Sequence, residues 1–411
     1  MTDLGDQPVS SRDRQILREL AQHVRDISQH PRMAQSRARW FQTNRLQLTR
    51  PPVQISLDGA SDDFVPPQTL CCEDAAARAA EYRFRCFIAY HERLRCDTLI
   101  QARWQVPQVF HDTGWGLAIQ HKASTQEKGA WAFDPVINEP ADLKKLRFPE
   151  VVYDEAASQR RLAVVHELFG DILDVHLMGV WLVSFHLMSL YCQLRGFEQV
   201  LLDMYDEPQM LRDAMAFLEE GHHRLVRQYV DLNLLYLDNR TSLYATDLLP
   251  TAGFQPERVR TSDVWAWADA QELTNVSPDM TWEFSMQHDA RLLQPFGLTT
   301  YGCCEDLTDK LDLVDRLPHL RQVGVTPWAN VAKCAEKIGT RYVISWRPNP
   351  AHLVGGLDEN FLRLYFRENL THLRHSVFHV LLKDVETCEH QPERMVRWSE
   401  ILDEEISRLW S

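Results

Sequence analysis

The run Tyr301-Gly302-Cys303-Cys304-Glu305 places two thiols beside a carboxylate, which is an unusual concentration of reactive groups. Thiolates and carboxylates both bind Zn²⁺ well, and a catalytic zinc site uses about three protein ligands and one exchangeable position. Further ligands are available near the C-terminus, at Asp384, Glu386 and Cys388. The sequence therefore predicts a metal site with these candidate ligands: Cys303, Cys304, Glu305, Glu386 and Cys388. The alternative is core packing of the two adjacent cysteines, because unpaired cysteine is among the most buried residue types.

A second group of polar residues, Asp269, Gln271 and Glu272, precedes a helix start at Ser277-Pro278. Such side chains act as acid/base groups, position a substrate or orient a metal ligand, and the alternative is ordinary loop solvation and capping.

Two arginines and several tryptophans also follow apolar segments. Arg103 and Arg347 could each bind an anionic group through paired hydrogen bonds, or form an ion pair within the protein. The tryptophans that could line a pocket for a flat ligand, or pack beneath loops, are Trp104, Trp181, Trp328 and Trp346.

An alternation of strands and helices must position these groups. The strands are predicted at 97–103, 173–180, 232–237, 263–268, 298–303, 320–326, 341–346 and 377–383. The helices between them are predicted at 155–170, 184–195, 206–230, 278–295, 308–317, 330–338 and 358–375. Eight strands with intervening helices predict an α/β protein with a (β/α)8 TIM-like barrel, in which the carboxyl ends of the strands form the active face. A doubly wound open sheet is the alternative, but the chain has neither G-x-G-x-x-G nor a P-loop motif.

The first part of the chain is predicted as a separate helical layer. Residues 8–48 read as helical and rich in arginine, and residues 73–95 form an amphipathic helix. We therefore expect an N-terminal helical extension over 1–95 packed on a barrel over 96–411.

Composition narrows the class of protein. The net charge of −14 argues against a protein that coats nucleic acid or an anionic membrane. There is no apolar run of about 18 residues and no signal-peptide pattern, so no membrane span is expected. Nine cysteines in a chain this long indicate reduced thiols and a cytoplasmic location.

Several segments resemble the uroporphyrinogen decarboxylase-like superfamily over roughly 160–411. The segments that carry the resemblance are Trp265 to Glu272, Ser277-Pro278-Asp279-Met280, Phe296-Gly297-Leu298, Tyr301 to Glu305, Pro318-His319-Leu320, Thr326-Pro327-Trp328, Arg347-Pro348-Asn349-Pro350, Leu382-Lys383-Asp384 and Pro392-Glu393-Arg394. The branch it is similar to contains the corrinoid-methyltransferase-like members, whereas the tetrapyrrole-binding motif of the decarboxylase is represented only by Gln101-Ala102-Arg103.

The resemblance implies a TIM-like barrel and a zinc ion held by a His-x-Cys motif and a later Cys. Cys303 matches the first Cys, Tyr301 stands where the His would be, and the later ligand would fall near residues 384–388. It further implies a zinc-dependent methyltransferase that moves a methyl group between a small substrate and a corrinoid, in the manner of an O-demethylase.

In that interpretation Asp269, Gln271 and Glu272 carry out or position the chemistry. The predicted substrate-binding residues are Arg103, Trp181, Tyr301, Trp328, Trp346, Arg347 and Asn349. The corrinoid is a co-substrate or is carried by a partner protein, and the sequence allows a homodimer. The alternatives are a metal-free decarboxylase or lyase of the same fold and a non-catalytic ligand-binding barrel.

Overall fold

The computed structural model of the chain describes residues 4, 9–122, 132–238, 241–244 and 253–410. The α-helices are α1 (Ser11–Ser28), α2 (Pro31–Asn44), α3 (Ser61–Phe64), α4 (Ala75–Arg93), α5 (Glu155–Phe169), α6 (Leu187–Arg195), α7 (Phe197–Asp206), α8 (Pro208–Asp231), α9 (Pro278–Thr281), α10 (Gln287–Leu293), α11 (Leu311–Val314), α12 (Val331–Ile338), α13 (Glu359–Leu373) and α14 (Glu393–Leu409). A π-helical segment, Trp282–Met286, joins α9 to α10.

The strands are short and mostly parallel. Their bounds are β1 (Val53–Ile55), β2 (Arg103–Pro107), β3 (Phe110–Asp112), β4 (Gln120–Lys122), β5 (Ala132–Asp134), β6 (Val151–Tyr153), β7 (Asp174–Met178), β8 (Leu182–Phe185), β9 (Trp265–Ala268), β10 (Leu298–Tyr301), β11 (Leu320–Val325), β12 (Val343–Trp346) and β13 (Phe378–Leu382).

One parallel sheet of seven strands organises the molecule, in the order β1-β13-β12-β11-β10-β9-β8. A second parallel pair joins β2 to β7. Two antiparallel pairs, β3 with β6 and β4 with β5, lie apart from it. The arrangement confirms the predicted α/β TIM-like fold.

Burial explains why these segments form strands. Every residue of β12 and β13 is buried, which is expected for parallel strands covered on both faces. Helix starts are equally well specified, because Asp154, Ser277, Asn330 and Asp358 each accept a hydrogen bond from a backbone N–H in the first turn of the next helix.

Several predicted elements differ from the structure. The strand predicted at 97–103 begins at Arg103, and the one at 232–237 is reduced to an isolated bridge between Leu235 and Val180. The beginning of the predicted helix 184–195 belongs instead to β8, and the predicted strands also lack β1, β3, β4, β5 and β6. The missed strands, including β8, have three or four residues each, so their pairing partners, not their own patterns, determine their conformation.

The N-terminal segment contributes directly to the sheet. Strand β1 pairs with β13, so residues 53–55 of the predicted extension form an edge of the seven-stranded sheet. The division into an extension over 1–95 and a barrel over 96–411 stays a prediction in other respects. Within the described part of the chain, no helix is both long and apolar enough to span a bilayer.

Candidate functional site

The carboxyl ends of neighbouring strands bring together two thiols, an ammonium group and a carboxylate. Cys303 and Cys304 follow β10, and Lys383 and Asp384 follow β13. We call these four residues the thiol cluster. Since β10, β11, β12 and β13 are adjacent and parallel, their ends meet at one edge of the sheet, where active sites of TIM-like folds lie.

The ammonium of Lys383 is central to the thiol cluster. Its Nζ lies 3.8 Å from the Sγ of Cys303 and 3.8 Å from the Sγ of Cys304, and it donates to Asp384 Oδ2 at 2.6 Å. The two sulfurs are 3.6 Å apart, and Cys304 Sγ lies 4.0 Å from Asp384 Oδ2. Cys304 is exposed and Cys303 is half-buried, so both thiols are accessible to a ligand.

Two buried charged side chains fix the backbone that carries the thiols. Arg347, at the end of β12, donates to the carbonyl oxygens of Cys303 and, at 3.1 Å, of Gly302. Glu305 accepts from the backbone N–H of Cys303 at 2.8 Å and of Ala270 at 3.3 Å. These contacts connect the ends of β9, β10 and β12 and hold the thiols in place.

The electrostatics of the cluster favour one thiolate. A hydrogen bond from the Cys303 thiol lowers the pKa of Cys304 to about 6. Burial opposes this shift, whereas the positive charge of Lys383 also lowers the pKa. The same hydrogen bond, together with burial, raises the pKa of Cys303. The pair thus shares one proton near neutral pH, with the negative charge on Cys304.

The ammonium remains charged in this arrangement. Burial lowers the pKa of Lys383, but the hydrogen bond to Asp384 and the neighbouring thiols outweigh it, so the net pKa is raised. Lys383 and the Cys304 thiolate therefore form an ion pair at the exposed edge of the site.

A cavity of about 200 Å³ opens above the cluster. Besides the cluster it is lined by Thr326, Pro327, Trp328, Arg347, Pro348, Asn349 and Pro350. Trp328 is 68% exposed and offers an indole face to any ligand that enters. Asn349 accepts a hydrogen bond from Ala351 N at 2.9 Å, so its side chain shapes the rim of the cavity.

The predicted zinc ligands do not assemble. Cys388 is fully buried in the hydrophobic core, Glu386 is exposed, and Glu305 is committed to the two backbone N–H groups. Cys388 packs in the core and Glu305 binds backbone N–H groups after β10, so a metal-ligand role for these two residues and for Glu386 stays a prediction. Across the described ranges, no group of three or more His, Cys, Asp or Glu side chains is arranged to hold a metal.

The thiols alone have a suitable spacing for zinc. Two thiolates on one tetrahedral zinc lie about 3.8 Å apart, given Zn–S bonds of about 2.3 Å. The observed separation of 3.6 Å is close to that value, but the ammonium of Lys383 contacts both sulfurs, at 3.8 Å each. The residues present do not fit the predicted zinc site, and we assign no catalytic step to zinc.

A histidine–carboxylate pair lies at the ends of β8 and β9. His186 Nδ1 is 3.1 Å from Asp269 Oδ2, and the other oxygen of Asp269 is buried without a hydrogen-bond partner among the described residues. Burial lowers the pKa of His186, but Asp269 more than offsets it, so the net pKa is raised. The sequence predicts a functional role for Asp269, and in the structure this carboxylate orients the imidazole.

Further carboxyl groups surround Asp269. Burial, followed by the charge of Asp269, raises the pKa of Glu305 and raises that of Asp289 far above its usual range. Burial also raises the pKa of Glu272. Glu272 and Gln271 are both half-buried. The carboxyl groups beneath the strand ends are therefore harder to ionise than exposed ones.

Four of the predicted substrate-binding residues lie away from the thiol cavity. Tyr301 and Trp346 are buried at 1% and 0% exposure in the hydrophobic core, and their role in substrate binding stays a prediction. Their strands place these rings beneath the cavity, where they pack against neighbouring side chains. Arg103 and Trp181 line a different cavity.

Sequence reasoning misses two residues of the site. Lys383 enters the sequence argument only within a segment that resembles the family, although its position beside Asp384 at a strand end is an available signal. His186 is missed because the sequence pattern assigns β8 to the start of a helix. A short strand at 182–185 places His186 at a carboxyl end.

Comparison with known proteins supports the fold. No family model matches the chain, and no curated protein matches it. Among solved structures, a methyltransferase from Methanosarcina mazei is similar over 92% of this chain and 99% of its own, with a TM-score of 0.50 and 12% sequence identity. At that identity the likeness establishes a shared TIM-like architecture.

Proposed function

We propose that the protein is a methyltransferase whose chemistry takes place at the thiol cluster. The observation that carries the proposal is the Lys383 ammonium, 3.8 Å from both sulfurs, in an open cavity at the strand ends. The similar solved structure is described as a methyltransferase, which supports the same class of reaction on this fold. The polar groups at the carboxyl ends of the strands favour an enzyme and not a barrel that only binds a ligand.

The Cys304 thiolate is suited to act as a general base. With a pKa near 6 it is ionised at neutral pH, and it can remove a proton from the thiol or hydroxyl group of an acceptor bound in the cavity. The Cys303 thiol, which hydrogen-bonds to Cys304, holds the base in one orientation.

The Lys383 ammonium stabilises the acceptor anion that this proton transfer leaves behind. The anion then attacks the methyl carbon of the donor. A bond forms between the acceptor heteroatom and carbon, while the bond from carbon to the donor breaks and its electron pair leaves with the donor. The proton remains on Cys304 and is returned to solvent before the next cycle.

The methyl donor in this proposal is a corrinoid, bound directly or carried by a partner protein, as the family resemblance implies. Such a donor would supply the methyl group and would keep the electron pair of the bond that breaks. Zinc stays a prediction, since displacement of Lys383 would be needed before Cys303, Cys304 and Asp384 could share a metal.

The experiment is a methyl-transfer assay under anaerobic conditions, with methylcob(III)alamin as donor and 2-mercaptoethanol as acceptor. Conversion to cob(I)alamin is followed by absorbance, and the methyl thioether is quantified. We expect Cys304→Ser to lower the rate by about 10²- to 10⁴-fold, because general-base catalysis contributes that range. Cys71→Ser, which removes an exposed thiol from the N-terminal region, is the matched control and should retain the wild-type rate.

Metal analysis of the same samples separates the alternatives. A metal-free protein with full activity supports general-base catalysis by Cys304. Stoichiometric zinc in the wild type that is lost in Cys304→Ser would show instead that Cys304 is a metal ligand and not the ion-pair partner of Lys383. Absence of methyl transfer, with release of CO₂ from a carboxylate substrate, would favour the metal-free decarboxylase.

A further inference from the structure

A second cavity, of about 340 Å³, lies between β1, β2 and α4. It shares no lining residue with the cavity at the thiol cluster. Its walls include Gln54 from β1, Arg103 from β2, Arg83 and Phe87 from α4, and Trp181. The cavity thus opens at the edge of the seven-stranded sheet, where β1 has no strand partner on its outer side among the described residues.

Arg83 contributes an unneutralised positive charge to this second cavity. Its guanidinium lies over the ring of Trp104 at 4.7 Å and over that of Phe87 at 5.6 Å. No carboxylate of the described residues pairs with it, and burial, with the nearby charge of Arg103, lowers its pKa. Aromatic faces stabilise a cation but leave its planar N–H donors free to bind an anion.

Arg103 carries no excess charge in the cavity. It donates two hydrogen bonds to Asp238, at 2.9 and 2.8 Å, and Gln105 donates a further one to the same carboxylate at 2.9 Å. The pair is buried and its geometry is bidentate, so Arg103 is neutralised within the protein. Among the described lining residues, one positive charge, that of Arg83, remains to be balanced.

Two buried oxygen atoms in the wall also lack partners among the described residues. Gln54 Oε1 and Thr241 Oγ1 make no hydrogen bond there, whereas Gln54 Nε2 donates to Ile55 O at 3.2 Å. A buried acceptor without a donor destabilises the protein, because it has lost its hydrogen bonds to water. A ligand that carries an N–H or O–H group would remove that cost.

We propose that this second cavity binds a small monocarboxylate that carries a flat ring and a hydrogen-bond donor. The carboxylate pairs with the Arg83 guanidinium, the ring packs between Phe87 and Trp181, and the donor reaches Gln54 Oε1. The site is separate from the thiol cluster, and the inference does not depend on the proposed methyl transfer.

The test uses isothermal titration calorimetry of the full chain with benzoate, 4-hydroxybenzoate and inorganic phosphate. We expect one molecule of 4-hydroxybenzoate to bind per chain, and Arg83→Met to weaken binding about tenfold or more, because a hydrogen-bonded charge pair is lost. Gln54→Leu should weaken the binding of 4-hydroxybenzoate and leave the binding of benzoate unchanged.

Two variants serve as controls. Arg93→Met removes another arginine of α4 that also lies over an aromatic ring, that of Phe64, but does not line the cavity, so binding should be unchanged. Cys304→Ser should likewise bind the carboxylates as the wild type does. Arg83→Lys keeps the positive charge and loses the planar N–H donors of the guanidinium. This variant is used in place of Arg83→Met if Arg83→Met does not fold.

Three outcomes would overturn the proposal. The first is the absence of saturable binding of either carboxylate. The second is binding that is equal in the wild type and in the Arg83 variants. The third is binding of phosphate alone through Arg83, which would exclude the carboxylate class.

Discussion

At the scale of single residues, the site depends on how two adjacent thiols divide one proton. The hydrogen bond from Cys303 and the charge of Lys383 stabilise the thiolate of Cys304. An isolated cysteine at the same exposure would be protonated at neutral pH. The arrangement therefore creates a base that is ionised under physiological conditions.

Alkylation by iodoacetamide, located by mass spectrometry, reports this thiolate directly. The rate at Cys304 should rise with pH and reach half its maximum near pH 6, because only the thiolate reacts. In Lys383→Met the midpoint should move upward by about one unit, since an opposite charge is lost. Cys71, another exposed thiol of the same protein, serves as an internal reference for the labelling yield. An unchanged midpoint in Lys383→Met would show that the ammonium does not stabilise the thiolate.

The pair of His186 and Asp269 makes a second prediction at this scale. Asp269→Asn removes the charge that raises the pKa of His186 and leaves the lowering effect of burial unopposed. The pKa of His186, followed by NMR titration of its ring protons, should therefore fall. The conservative change keeps a hydrogen-bond acceptor, so an equal pKa in both proteins would mean that the charge of Asp269 does not reach the imidazole.

The sequence predicts some residues of the site better than others. Cys303, Cys304 and Asp269 are identifiable because they end apolar strands. The roles of Cys388 and Glu386 are harder to predict, because the sequence shows that they follow a strand but not how the turn directs them. Asp384 lies in the left-handed region at φ 61°, and such a turn is not evident from composition.

At the scale of elements, the turn after β13 is held by the turn after β1. Asp58 Oδ2 accepts from the backbone N–H of Asp384 at 2.6 Å and of Val385 at 3.4 Å. Gly59 lies so close to Glu386 that a side-chain Cβ there would be 2.5 Å from its carbonyl oxygen. The short strand β1 thus positions Lys383 and Asp384, although its own residues carry no clear strand signal.

Asp58→Ala tests this role of β1. Loss of the accepting carboxylate should lower the free energy of unfolding by about 1–3 kcal/mol and shift the alkylation midpoint of Cys304, because Lys383 is less well placed. Urea unfolding and the alkylation assay measure the two effects. Glu386→Ala, an exposed position in the same turn, should change neither. A wild-type alkylation profile in Asp58→Ala would contradict the positioning role.

At the scale of the whole molecule, the N-terminal helices are joined to the sheet through Asp97. Its carboxylate accepts from Ser36 Oγ and Arg39 at 2.7 Å each and from Val53 N at 3.0 Å, and its carbonyl accepts from Trp40 Nε1 at 2.8 Å. Asp97 is 3% exposed. One buried carboxylate thus ties α2 to β1, and the sequence does not indicate it because its partners are far apart along the chain.

Asp97→Ala should therefore destabilise the protein by about 3–5 kcal/mol, because breaking a buried pair leaves its partners uncompensated. Equilibrium unfolding in urea measures the change. Asp315→Ala breaks the exposed pair with Arg341 and should cost less than about 1 kcal/mol. Equal losses in the two variants would mean that Asp97 has no special part in joining α2 to the sheet.

The central claim is that Cys304 removes a proton from the methyl acceptor with the help of Lys383. The pH dependence of kcat/KM for methyl transfer from methylcob(III)alamin tests it in the wild type and in Lys383→Met. The account predicts a wild-type rate that rises with pH through a midpoint near 6 and a midpoint about one unit higher in the variant. Profiles that coincide, or a wild-type rate that does not change between about pH 5 and 8, would contradict it.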